Sequence, residues 1–144
     1  MDYSLPVRRA VLTALKRDAG MIALIPAASI YPGVVPTTRT FPFSRYGSPQ
    51  TTPFRLSGLN SSSTRFALHG FTGPLKQGQT VVETAEDRAW KIAAAFKAVL
   101  DDAVLPIDGG MHATLTWLDT SCLIDGDETD AWHAVVNFDA QVAG

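Results

Sequence analysis

Three consecutive stretches near the end of the chain decide how it is read: residues 112–124 (HATLTWLDTSCLI), 125–130 (DGDETD) and 131–142 (AWHAVVNFDAQV). The third alternates Trp132, Ala134, Val136, Phe138 and Ala140 with His133, Asn137, Asp139 and Gln141, the period of a strand with one buried face. The first is rich in Thr, Trp and Leu and has the same length. A short acidic turn between two such runs predicts an antiparallel hairpin. Simple alternation through the first run puts Cys122 on one face with Thr114, Thr116 and Leu118.

Working outward, residues 64–72 (TRFALHGFT) set Phe66 and Leu68 against Arg65, Ala67 and His69, and predict another strand. Residues 41–47 (FPFSRYG) set Phe41, Phe43 and Arg45 against Pro42, Ser44 and Tyr46. Pro42 assigns that strand to an edge or a start, because proline cannot donate to the ladder. The intervening residues 48–63 are rich in Ser, Thr, Pro and Gly and read as a long loop, with Phe54, Leu56 and Leu59 lacking any apolar partner set. Between the hairpins, residues 80–102 carry Val82, Ala85, Ala89, Ile92, Ala93, Phe96, Val99 and Leu100 at helical spacing, with Asp87 and Lys91 as an i,i+4 pair. At the start, Ser4 suits an N-cap with Pro6 in the first turn, and Leu5, Val11, Leu12, Ala14 and Leu15 form an apolar stripe to about residue 18. Gly20 is a candidate stop, residues 21–25 one further turn, and 27–40 an extended connector in which 29–32 suit a brief strand. The expected order is α-β-β-α-β-β. The expected fold is α+β: an antiparallel sheet of about four main strands in two hairpins, with two helices packed on one face. With 144 residues and no linker, the chain reads as one domain spanning 1–144.

An apolar content of 46% excludes wholesale disorder. A net charge of −2 argues against coating nucleic acid through bulk basicity. A single cysteine excludes a disulfide-stapled scaffold. No apolar run approaches the ~18 residues of a membrane span, and Arg8 and Arg9 interrupt the position of a leader's apolar core. The small net charge conceals an asymmetry: residues 1–79 hold nine Lys and Arg against Asp2 and Asp18, while residues 80–144 hold three against twelve acids. Two faces of opposite sign suit head-to-tail contact between copies, although interleaving within one sheet accounts for the same numbers.

The chemical motifs are negative. Counted from Asp125, the calcium-loop pattern fails at Thr129, Asp130 and Val136. His69, His112 and His133 lack metal-ligand spacing. Cys122 stands near Asp119 and Asp125, the wrong sign for an activated thiolate. Trp90, Trp117 and Trp132 fall where burial is expected rather than on a stacking platform. Asp119 and Asp139 form a conceivable acid–base pair that nothing in their spacing favours. Phosphate-loop, dinucleotide and nucleophile-elbow signatures are missing. An enzyme is not expected, nor is any cofactor or metal.

Taken in order, however, the chain resembles the tail terminator (tail completion) proteins of long-tailed phages and gene transfer agents. The elements that carry the likeness are the amphipathic first helix, a second turn ending Ala23-Leu24-Ile25-Pro26, Ile30-Tyr31-Pro32, and Phe41-Pro42-Phe43. Arg65 to Phe71, the helix with Asp87-Arg88-Ala89 and Ala98-Val99-Leu100-Asp101, and a last strand with Val135-Val136-Asn137-Phe138 continue it. Residues 57–63 are longer and richer in Ser and Thr than the family's loop.

The resemblance implies a structural virion protein. Its copies would form a ring, hexameric in the family, that caps the tail tube, stops elongation and offers a head-joining surface. Expected partners are further copies, the tail tube protein and a head-completion or neck protein, with DNA passing only through the lumen and no membrane. The expected location is the head–tail junction of a virion made in the bacterial host cytoplasm. Exposed charge and unexplained apolar residues nominate contact positions: Arg45, Tyr46, Phe54, Arg55, Leu59 and Arg65 around the first hairpin, and Asp125, Asp127, Glu128 and Asp130 in the acidic turn. The alternatives are another neck or connector protein, or a small-ligand-binding domain with a pocket around His69, His133 and Asp139.

Overall fold

Six strands, not four, build the main sheet, and one of its pairings is parallel. The computed structural model describes residues 2–54, 61–125 and 130–143. The chain begins with α1 (Ser4–Arg17), α2 (Ala19–Leu24), a 3-10 turn (Ala27–Ser29) and β1 (Ile30–Tyr31). Next come β2 (Phe43–Phe54), β3 (Ser61–Thr72), β4 (Leu75–Gln77), β5 (Thr80–Glu83) and α3 (Ala85–Leu100). It closes with β6 (Val104–Ile107), a 3-10 turn (Asp108–Gly110), β7 (Met111–Ile124) and β8 (Trp132–Ala143). The sheet order is β1-β2-β3-β8-β7-β6; β1 runs parallel to β2, and every other neighbour is antiparallel. β4 and β5 form a separate hairpin. The expected four-stranded antiparallel sheet with two helices in the order α-β-β-α-β-β is therefore replaced by a mixed six-stranded sheet with three helices.

Each difference has a local cause. Residues 48–54 and 61–63, read as loop, extend β2 and β3, pairing from Gln50 with Arg65 to Phe54 with Ser61. Their inward positions carry hydroxyls that bond one another: Thr51 meets Thr64 at 2.8 Å, and Ser4 of α1 bonds Thr51. With Ser62 also buried, its hydroxyl unpartnered among the described residues, the inward positions are polar and leave no apolar alternation to detect. A bulge between Gly47 and Gln50, with Ser48 at φ 49°, adds to the disguise. Residues 80–83, read as the first turn of the long helix, are instead β5, turned back on β4 through Gly78 at φ 61°. The helix starts where the Thr84 hydroxyl accepts the Asp87 backbone N–H at 3.2 Å. Lys91 pairs with Glu83 rather than Asp87, and Arg88 reaches Glu83 at 3.7 Å. Ser4 is the first residue of α1 and not its cap; Asp2 Oδ1 accepts its backbone N–H at 2.8 Å. Gly20 lies inside α2, whose cap is Asp18, accepting from the Met21 N–H at 2.8 Å.

The hydrophobic core lies on one side of the sheet. Val7, Val11 and Leu15 of α1, Met21 of α2, and Ala89, Ile92, Ala93, Phe96 and Leu100 of α3 bury against Tyr46, Phe66, Leu68, Leu115, Val136 and Phe138. Tyr46 stacks on Phe66 at 4.8 Å and Phe66 on Phe138 at 5.6 Å, a row of rings across three adjacent strands. Gly70 admits α3: a Cβ there would stand 2.6 Å from Ile92 Cγ2. In β7, a bulge between Trp117 and Asp119 shifts the alternation by one. Cys122 consequently shares the inward side with Ala113, Leu115 and Trp117, opposite Ala134, and not the side of Thr114 and Thr116. Burial pushes its thiol up to about 11, with Glu86 adding to the effect.

Candidate functional site

The reverse face of the sheet carries the alternate residues of the same strands, and among the described residues no helix covers it. Its middle is a lattice of short polar side chains. Ser63 donates to Asp139 at 2.5 Å, Asn137 donates to Asp119 at 2.6 Å, and Gln141 donates to Asp139 at 3.4 Å. Register places Arg65 between Gln50 and Asp139, where it is exposed.

At the end of the face where β2 begins, the polar lattice gives way to aromatic rings. Phe43 stacks on Phe41 at 5.8 Å and on Phe71 at 4.7 Å, and Phe71 stacks on His133 at 4.2 Å. Two guanidiniums lie over these rings, Arg39 at 5.7 Å from Phe43 and Arg45 at 6.0 Å from Phe71. Among the described residues neither forms an ion pair. With Asp125 and part of the 33–41 connector they line a recess of about 840 Å³. Behind it, His69 Nδ1 and His133 Nε2 share a hydrogen bond of 2.8 Å, while His69 Nε2 is buried without a partner. Burial, then the Arg45 charge, then His133, push His69 down to about 4. Burial lowers His133 as well; Asp125 opposes that and Arg45 adds to it. Gly47 gives His69 its room, since a Cβ there would meet Nε2 at 2.7 Å.

The nominated contact positions fare unequally. Arg45 and Asp125 come together in the recess. Arg65 and Asp130 are exposed and lie apart from it. Tyr46 is corrected: it faces the opposite way from Arg45, is only 3% exposed in the core, and offers no surface. Burial raises its hydroxyl. Phe54 ends β2, paired with Ser61. Arg55, Leu59, Asp127 and Glu128 lie outside the described residues. Of the imagined ligand pocket, His69 and His133 meet, but Asp139 pairs in register with Arg65 while His133 pairs with Phe71, so the three do not converge. Two residues of the recess, Arg39 and Phe71, escaped the sequence reading. Extending the alternation of Phe41, Phe43 and Arg45 backwards by one step reaches Arg39, the signal that finds it.

The sheet order also sorts charge. Residues 19–82, which supply β1 to β4 and stop short of Glu83 in β5, contain five Lys and Arg and no acid. Residues 98–144, which supply β6 to β8, contain nine acids and no Lys or Arg. Because β1, β2 and β3 form one half of the sheet and β8, β7 and β6 the other, one half is purely cationic and its neighbour purely anionic.

No curated protein matches the sequence. Among solved structures, a chain in the virion of a native gene transfer agent particle is similar in fold, with a TM-score of 0.76 and 19% sequence identity over 96% of this chain and 96% of that chain. The family model described as tail completion protein gp17 matches residues 9–143, nearly the whole length. The chain thus belongs to the gp17 tail completion family and is a structural protein of a phage-type tail.

Proposed function

We propose that the protein is a tail terminator: a single domain whose copies form a ring, hexameric as in the resemblance, that caps the tail tube, stops its elongation and presents the surface to which the head joins. It acts by assembly and not by catalysis, at the head–tail junction of a particle made in the bacterial cytoplasm. Its partners are its own copies, the tube protein and a head-completion or neck protein; DNA only passes through. The observation that carries this reading, within the family, is the sheet face that no described helix covers, laced by side-chain hydrogen bonds and built from halves of opposite charge. A pre-organised polar face with unlike edges suits a surface that meets partners in fixed register. Electron microscopy of particles lacking the gene tests it. Free heads beside tails of irregular, excessive length are expected. Tails of normal length that fail to join heads would move the protein to the neck, and unchanged particles would overturn both readings.

A further inference from the structure

We propose that the contact between copies in that ring joins residues 118–124 of one copy to the 33–41 connector of the next, so this inference rests on the ring reading. The first surface is a free strand edge. β6 pairs with β7 only from Met111 to Thr114; Leu115 then exchanges backbone bonds with 102 and 103, and Asp101 Oδ1 takes the Trp117 N–H at 3.0 Å. Beyond Trp117, no described strand follows that edge. The stretch nevertheless exposes Leu118, Leu123 and Ile124, at 41%, 47% and 54%. A bare edge with exposed large apolar residues is a ready docking surface.

The second surface is the connector between β1, the opposite edge strand, and β2, where it borders the recess. The connector leaves Val34 86% and Phe41 42% exposed, beside the exposed Arg39. Neither patch can neutralise itself: a contact between two β7 edges would enclose two copies of Asp119 with no cation in either segment, and one between two connectors two copies of Arg39 with no anion in either. A β7 edge against a connector sets Asp119 against Arg39 and apolar side chains against apolar side chains. Charge therefore rejects a two-fold dimer through either patch and selects the head-to-tail contact, the kind that closes into a ring. The remaining acidic edge is not a competitor, because Asp108 beside β6 shares its groove with Arg9 and Arg17 of the same chain.

The test uses particles assembled with variant protein in place of the native chain. Arg39→Asp and Asp119→Arg are each expected to lower incorporation by about tenfold, like charges now facing across the contact, and the double variant to restore it. Independently, Phe41→Cys with Leu123→Cys, on a Cys122→Ser background, is expected to give a ladder of cross-linked multimers with a short thiol cross-linker. Either single cysteine should give none. Circular dichroism of each purified variant separates misfolding from lost contact. Normal incorporation of both charge variants together with no ladder would overturn the contact while leaving the ring in place. Absence of the native protein from tails would remove the ring, and this contact with it.

Discussion

The two faces of this sheet are made by alternate residues of the same strands, yet they are built on different principles. The inward face holds Phe66, Leu68, Val136 and Phe138 under three helices, all at 2% exposure or less. The outward face holds Arg65, Asn137, Asp139 and Gln141, where Ser63 and Gln141 donate to Asp139 and Asn137 donates to Asp119. Burial of apolar area drives folding, so the first face carries the stability. The second gains little from its exposed hydrogen bonds, each about 0.5–1.5 kcal/mol at most, and is free to be specified by what it meets. The difference teaches that substitutions one residue apart on one strand act on separate properties.

The largest break in that comparison is expected from Phe138→Ala against Asn137→Ala. Removing the ring should cost about 3–5 kcal/mol in urea unfolding, because the row from Tyr46 through Phe66 loses its end and a cavity remains. The neighbouring Asn137→Ala should fall within about 1.5 kcal/mol. Equal losses would refute the division. Next in size is Gly70→Ala, where the added methyl meets Ile92 Cγ2 and α3 must move. A cost of about 1–3 kcal/mol is expected, recovered in part by pairing it with Ile92→Val. A third, smaller effect is Thr84→Ala. Loss of the cap should cost about 1 kcal/mol, and it sharpens the comparison by showing how far α3 relies on its own ends rather than on the sheet.

The same contrast explains what was readable in the amino-acid sequence. Elements that bury an apolar row announce themselves: the runs around Phe66, Phe96 and Phe138 were all placed with the correct inward side. Elements whose inward residues are Ser and Thr do not, and Thr51 and Ser62 therefore read as loop, with Thr64 the first residue legible as strand. Alternation also carries no memory of a bulge. One inserted residue at Leu118 was enough to put Cys122 on the wrong side, and nothing in the run 117–119 marks the insertion. The parallel pairing of β1 with β2 depends on where residues 32–42 return the chain, a property of tertiary packing that two residues cannot encode locally. At the candidate surface, Arg45 was found by its charge. The histidine pair enters the sequence reading only through the ligand-pocket alternative, with Asp139 wrongly added, because its members stand 64 residues apart and meet only through the β3–β8 register.

That pair supplies the smallest of the expected effects, and the one in which the outward face does touch stability. His69 sits near 4 in the folded chain against an ordinary value of about 6.5 once unfolded. Between those values the unfolded chain holds more protons, so stability rises with pH across the window and is lost as pH falls through it. His133 shifts in the same direction, moderated by Asp125. The loss is modest, since both rings are half-exposed and solvent screens the charge. Urea midpoints measured from pH 7 down to pH 4.5 should therefore decline more steeply in the native chain than in His69→Gln with His133→Gln. Carboxylate titration contributes to both curves alike, which leaves the difference between slopes as the signal. Parallel curves would mean that the pair relaxes into water on protonation at no cost to the fold. The outward face would then be independent of stability even at its histidine pair.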